Sequence, residues 1–361
     1  MLFLFVCILL MWLMIFGVGL FYDAYLDQQL RPYFTKIFLV AILTTIVTWL
    51  VAGYSLAFHG SLQYSVSHPN LMSSTSETVL MDWLFQLCFC LYAVVMLIGS
   101  VIDRISVKQT VWVVGGWILL VYAPLSYLFW SKNGWLNQLG TLDFSGGMVV
   151  HLSAGLSSYL LAIKLGKRTI LAPETNVAPL FVGVVWITLG WFAFNMGPVG
   201  ELNGQSMTIF LNTLIAIVCG ALGWSWADFQ TSRNWSASSL MNGMVGGLVA
   251  STAGVGFVNP LAMAMITFCG SFVASWSIQK ILSRYEVDDV VDSFGMNGIG
   301  GLVGSIGVAF FANQRECLLQ FGLQLLGVII TLALSSAGTF FLLNFITSNK
   351  KDRFNILTPK S

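Results

Sequence analysis

Along most of the chain, stretches of about twenty apolar residues alternate with short polar breaks, the length that crosses a hydrocarbon core near 30 Å at 1.5 Å per residue. Such stretches occupy residues 2–24, 36–58, 80–101, 109–130, 144–164, 177–197, 207–227, 238–257, 260–281, 294–312 and 319–346. They predict an all-α integral membrane protein with eleven transmembrane helices. Residues 1–346 form one transmembrane domain, and 347–361 form a short cytoplasmic tail. The first run, from Leu2 to Tyr22, has no basic segment before it and no small-residue cleavage site after it, so it is expected as a retained helix.

Composition supports that reading. The 361 residues are 57% hydrophobic and 9% charged, against roughly 25% charged in an ordinary soluble domain. A net charge of +1 gives no basis for nucleic-acid binding. Cys7, Cys88, Cys90, Cys219 and Cys269 fall in apolar runs and Cys317 in an expected loop, so neither a disulfide framework nor a metal site is expected.

The few basic residues carry topological information. Short cytoplasmic loops retain Lys and Arg; with the N-terminus outside, fourteen of these residues gather on one side and only Lys132 and Arg315 on the other. The expected orientation is N-terminus outside, C-terminus inside, in a multi-pass protein of the plasma (inner) membrane.

The fifth and tenth apolar runs echo each other. Asp143 precedes His151 by eight residues and Asp289 precedes Asn297 by eight; each pair is followed four residues on by a glycine, Gly155 and Gly301. Five helices separate the copies, so helices 1–5 and 6–10 are expected as an inverted repeat, with a substrate path at their interface. Glycines at small-xxx-small spacing, Gly243/Gly247 and Gly300/Gly304, let helix backbones approach closely.

His151 is the histidine within a predicted span. Ionisable groups at such depth face a cavity or a polar path, although a core histidine satisfied by a neighbouring hydroxyl fits its position equally. A buried neutral imidazole donates one hydrogen bond and accepts another, which suits a small polar substrate. Asp143, at the start of the fifth run, is expected first as a cap for backbone N–H groups and second as a carboxylate that favours cations. Asp288, Asp289 and Asp292 begin the tenth run as a helix-start feature. Trp130 ends the fourth run, where an aromatic anchors at the interface or offers its face to a cation. Phe85 and Phe89 are one turn apart, so their rings can line one surface.

The segments Asp143-Phe-Ser-Gly-Gly-Met-Val-Val-His151, Leu-Ser-Ala-Gly155 and Gly166-Lys-Arg168 resemble the signature of the Amt/Mep/Rh ammonium transporter family. The likeness extends to Phe85-Gln-Leu-Cys-Phe89, Gly190-Trp-Phe-Ala-Phe-Asn195 and Asp288-Asp-Val-Val-Asp-Ser-Phe-Gly-Met-Asn-Gly298. It implies transmembrane transport of ammonium or ammonia by a homotrimer with one pore per subunit. Each pore would have an outer cation site, two stacked phenyl rings and a central pair of histidines. Trp130 and Phe89 match the aromatic wall of the outer site, Phe85 and Phe194 the phenyl gate, His151 the first histidine and Asp143 the supporting aspartate. Two positions depart. The family's outer-site serine falls on Pro198, which offers neither a hydroxyl nor an N–H, and the second pore histidine falls on Asn297, which does not titrate.

Ammonium and the lipid bilayer are thus the expected partners. The short tail argues against a PII-type regulator, and no cofactor is expected. An enzyme is not expected either, since no nucleophile–base pair or nucleotide loop is evident. Two other readings remain open: a non-transporting ammonium receptor, which Pro198 and Asn297 would suit, and a Rh-like neutral channel for NH3 or CO2.

Overall fold

Helices form where the apolar runs predict them, and several start at residues suited to capping. In a computed structural model, which describes residues 1–61, 77–171, 174–312 and 315–346, all regular structure among the described residues is helical. The chain begins with α1 (Leu2–Asp23). The next run, α2 (Gln28–His59), starts from Asp27, whose side chain accepts from the Gln29 amide. It is followed by α3 (Glu77–Gly99). The α4 run comprises Val107–Trp117, Ile118–Tyr122 and Ala123–Trp130, and opens on a capping box in which Ser106 and Gln109 satisfy each other's backbone amides. A short helix, Trp135–Leu139, leads towards α5 (Gly147–Leu165).

The second half contains α6 (Val177–Met196), α7 (Gly204–Ser232), α8 (Ala237–Ser251), α9 (Pro260–Lys280), α10 (Phe294–Phe311) and α11 (Cys317–Leu343). Asn176, Asn203, Ser236 and Asn259 cap four of these starts by accepting backbone amides. Ten helices among the described residues are long and apolar enough to cross a membrane. The remaining predicted span, 238–257, is the 15-residue α8 followed by turns over 252–257. Cys317 is the first residue of α11 and not a loop residue. The predicted tail, 347–361, lies outside the described residues.

Four turns of these helices are π-helical: Trp49–Gly53, Ile118–Tyr122, Gly147–Leu152 and Phe294–Ile299. The last two carry His151 and Asn297. Single π-turns inside α-helices are uncommon and concentrate at functional sites.

The two repeat-echo segments meet backbone to backbone. A Cβ on Gly155 would stand 2.8 Å from the Gly298 Cα and 3.2 Å from the Asn297 carbonyl carbon. Reciprocally, a Cβ on Gly301 would stand 2.7 Å from the Gly147 oxygen and 3.0 Å from the His151 Cβ. The glycine four residues after each polar residue is therefore the contact surface for the other polar residue.

The loop that enters α5 is pinned on both sides. Phe144 and Ser145 donate their amides to the carbonyls of Ala253 and Thr252, just beyond α8. On the other side the buried Gln324 amide of α11 donates to the carbonyls of Leu142 and Ser305 at 2.8 Å and accepts from the Leu142 amide at 2.7 Å.

Candidate functional site

Asp143 sits within this pinned loop, between Leu142 and Phe144, and is buried. Its carboxylate accepts from the Met148 amide at 3.1 Å and the Val149 amide at 3.0 Å, so it caps the first turn of α5. The helix starts only at Gly147, and residues 143–146 are irregular. The predicted span 144–164 is corrected accordingly: residues 144–146 are loop, and the acid caps across it. The Asp143 carbonyl accepts from the Trp130 indole at 2.8 Å, which fixes that ring beside the loop.

Trp130, Asp143, Phe85, Phe89 and Pro198 line one cavity of about 520 Å³, together with Asp82, Gln86 and Phe144 among others. From its floor a column of aromatic rings leads to His151. Phe85 packs edge-on to Phe89 at 5.2 Å between centroids, and Phe89 packs edge-on to Trp130 at 5.5 Å. The rings that overlap most closely are Phe89 and Phe194, 4.3 Å apart and inclined by 32°. Phe85, which the motif comparison pairs with Phe194, instead packs against Gly197. The stacked pair is therefore formed by Phe89.

His151 is fully buried below these rings. Its imidazole lies parallel to the Trp191 indole, 5.4 Å between centroids and 8° apart, with Tyr92 edge-on at 5.9 Å. Nδ1 is 3.0 Å from the Asn297 Oδ1. The Asn297 amide nitrogen faces the Ser293 hydroxyl at 3.4 Å, and the Ser293 hydroxyl donates to the Met96 carbonyl at 3.2 Å. With Oδ1 as the acceptor, the imidazole proton resides on Nδ1. Nε2 then carries a lone pair, and among the described residues no side chain or backbone group bonds to it.

Helix α3 is the ruler along this path. Asp82, Phe85, Gln86 and Phe89 touch the cavity, Tyr92 reaches the His151 level, and Met96 and Tyr92 line a void of about 20 Å³ beside Asn297. These positions recur every three or four residues, so they form one stripe, about 21 Å long from 82 to 96. Sequence reasoning missed Tyr92, Trp191 and Asp82. The stripe was present in the spacing, and a carboxylate inside an apolar run is itself a signal for function.

The acidic run before α10 divides its work. Asp288 takes the Arg168 amide at 2.6 Å and the Arg168 guanidinium at 2.8 and 2.9 Å, tying the Gly166-Lys-Arg168 loop to the start of α10. Asp289 caps the Phe294 amide at 2.9 Å, and the helix itself begins only at Phe294. No group of three or more His, Cys, Asp or Glu side chains is placed to hold a metal among the described residues.

Comparison with known proteins bears on this arrangement. An ammonium transporter of Bacillus subtilis is 34% identical over 327 residues, 86% of this chain and 80% of that protein. Ammonium transporter 1 of Schizosaccharomyces pombe is 34% identical over 323 residues, of which this chain spans 64% of the relative's length. Among solved structures, Saccharomyces cerevisiae Mep2 superposes with a TM-score of 0.85 at 25% identity, covering 97% of this chain and 87% of that one. A protein described as Sensor Amt Protein shares the fold with a TM-score of 0.87 at 23% identity, covering 98% and 96%. These relatives are transport proteins by name, not enzymes. The Ammonium Transporter Family model matches residues 2–351, and on that match the chain belongs to the ammonium transporter family.

Proposed function

We propose that this protein carries ammonium across the plasma membrane as ammonia, one pore per subunit of a homotrimer, with the N-terminus outside and the C-terminus inside. Ammonium enters the cavity between Trp130, Phe85 and Phe89, gives its proton to water on the entry side, where the proton stays, and crosses the Phe89–Phe194 constriction as NH3. Moving the intact cation through an apolar, ring-lined column has a desolvation cost of many kcal/mol, whereas the neutral molecule crosses far more easily. His151 Nε2 then accepts an N–H of the passing ammonia, and Asn297 holds the imidazole in the tautomer that leaves Nε2 free to do so.

The observation that carries this reading is the His151–Asn297 pair, buried directly beneath the aromatic column. Asn297 does not titrate, so a proton cannot pass along the pair as it would between two histidines. The expected traffic is therefore electroneutral.

The test is ammonium-driven current and internal pH recorded together in proteoliposomes of the purified protein. Wild type is expected to alkalinise the lumen without current. His151→Ala is expected to lower the flux, and Asn297→His to add a current. Current in the wild type would show that protons cross by another route and would overturn the electroneutral step. Saturable binding without either signal would sink transport and leave the receptor reading.

A further inference from the structure

Pro198 leaves the expected outer site without its hydroxyl, yet the cavity it lines contains another group suited to a cation. Asp82 lies on α3 three residues before Phe85 and seven before Phe89, hence on the same helix face. Among the described residues lining the cavity, Asp82 and Asp143 carry the acidic side chains, and no Lys, Arg or His lines it. The guanidinium of Arg315 packs against Gly140, itself a lining residue, and Arg315 is not among the lining residues. Asp143 is committed to the amides of Met148 and Val149, so its charge serves the helix start.

Asp82 is held differently. The Tyr54 hydroxyl of α2 donates to its Oδ2 at 2.7 Å, and Gln86 lies one turn further along the same face of α3. Among the described residues, the Gln86 carbonyl oxygen has no hydrogen-bond partner. The Tyr54 hydroxyl is a neutral donor, which orients the carboxylate without neutralising it. His59, packed edge-on against Tyr54 at 5.7 Å, is the titratable group that faces it.

We infer that Asp82 is the anionic recruiting group of the outer cation site, concentrating NH4+ above Trp130 and Phe89 in place of the hydroxyl that Pro198 lacks. Oriented carboxylate, orphaned amide oxygen and ring faces together match a small monovalent cation with several N–H donors. This inference rests on the transport reading for the fate of the ion, but not for its binding. Seven helical residues separate Asp82 from Phe89, about 10 Å. A unit charge at that range in a partly solvated cavity changes cation occupancy by roughly tenfold.

The experiment compares wild type, Asp82→Asn, Tyr54→Phe and the double variant Asp82→Asn/Pro198→Ser near pH 8, where an ordinary His is neutral. Equilibrium binding of ammonium to the detergent-solubilised protein is read beside the concentration dependence of flux in proteoliposomes. Asn retains the acceptor for Tyr54 and removes only the charge. Asp82→Asn is expected to raise the ammonium Kd and KM about tenfold with the maximal rate and the melting temperature unchanged. Tyr54→Phe is expected to change them less than threefold, and the added serine to recover part of the loss. Unchanged Kd and KM in Asp82→Asn, with wild-type flux intact, would overturn the role of Asp82 and leave transport standing. Asp82-dependent binding without flux in any variant would uphold the site and overturn transport. A wild type that binds no ammonium overturns the site.

Discussion

The Trp191 indole lies parallel to the His151 imidazole at 5.4 Å. Both rings are fully buried, and Tyr92 and Phe194 close the remaining sides. The histidine is thus fixed by a flat wall on one side and by Asn297 at its Nδ1, which leaves one free direction, towards Nε2.

Trp191→Leu should release that ring. Stacked aromatic contacts contribute about 0.5–1.5 kcal/mol beyond burial, so flux in proteoliposomes is expected to fall by roughly threefold to tenfold, with KM little changed because the outer cavity is untouched. A changed KM with an unchanged maximal rate would contradict the assignment of Trp191 to the central pair.

Gly301→Ala should test the backbone contact between α5 and α10. The added Cβ meets the Gly147 oxygen and the His151 Cβ at distances that require the helices to shift. Overpacking of this kind costs about 1–3 kcal/mol. The melting temperature of the solubilised protein is expected to drop by several degrees, together with flux. Ala at Gly204, where nothing lies within 4 Å of a Cβ, is the control and should leave both unchanged.

Gln324→Leu removes three hydrogen bonds to Leu142 and Ser305 while keeping much of the volume. At about 1 kcal/mol each, the expected destabilisation is roughly 3 kcal/mol. Because the freed loop leads into Asp143, ammonium affinity should weaken as well. A stable variant with normal KM would show that the loop holds its shape without α11.

The clamp between Arg168 and Asp288 predicts a pH dependence. Burial raises the Asp288 carboxyl, but the amide and guanidinium of Arg168, with Arg104 nearby, hold it on balance below its ordinary value. A carboxylate whose folded value is depressed contributes stability that is present above its unfolded value and is lost as pH falls through the folded one. Unfolding of the solubilised protein should therefore show a component that is constant above about pH 4 and declines below it. Asp288→Asn should abolish that component. An identical acid profile for both proteins would exclude Asp288 as its source.

Most of the helix map was legible because membrane spans are set by length and apolarity, and both are written along the chain. Helix starts lie earlier than expected where caps decide them, by eight residues at Asp27 (36 expected, Gln28 found) and by three at Asn203 (207 expected, Gly204 found). The site was legible as residue identities and less so as geometry. Motif spacing put Phe85 and Phe89 on one face, but which ring meets Phe194 depends on Gly197, which takes up Phe85. The Asp143 loop looked helical because its bonds to Ala253 and Thr252 come from a distant part of the chain. Asp82 was overlooked within an apolar run because its partner Tyr54 is 28 residues earlier, on another helix. The π-turns at His151 and Asn297 have no residue signature, since they depend on which carbonyl each amide chooses.

Those two π-turns restrict how the chain can change. A π-turn holds one more residue than the α-turn it replaces, and each residue of helix is worth about 100° of rotation. Deleting one residue from Gly147–Leu152 would return the turn to α-geometry and swing the polar side chain out of the path, while Gly155, beyond the turn, stays against Gly298. The same holds for Phe294–Ile299. Identity at these positions is free to drift, as Asn297 illustrates, whereas chain length is not: variation between copies of this architecture should be written here in substitutions, with gaps confined to the loops.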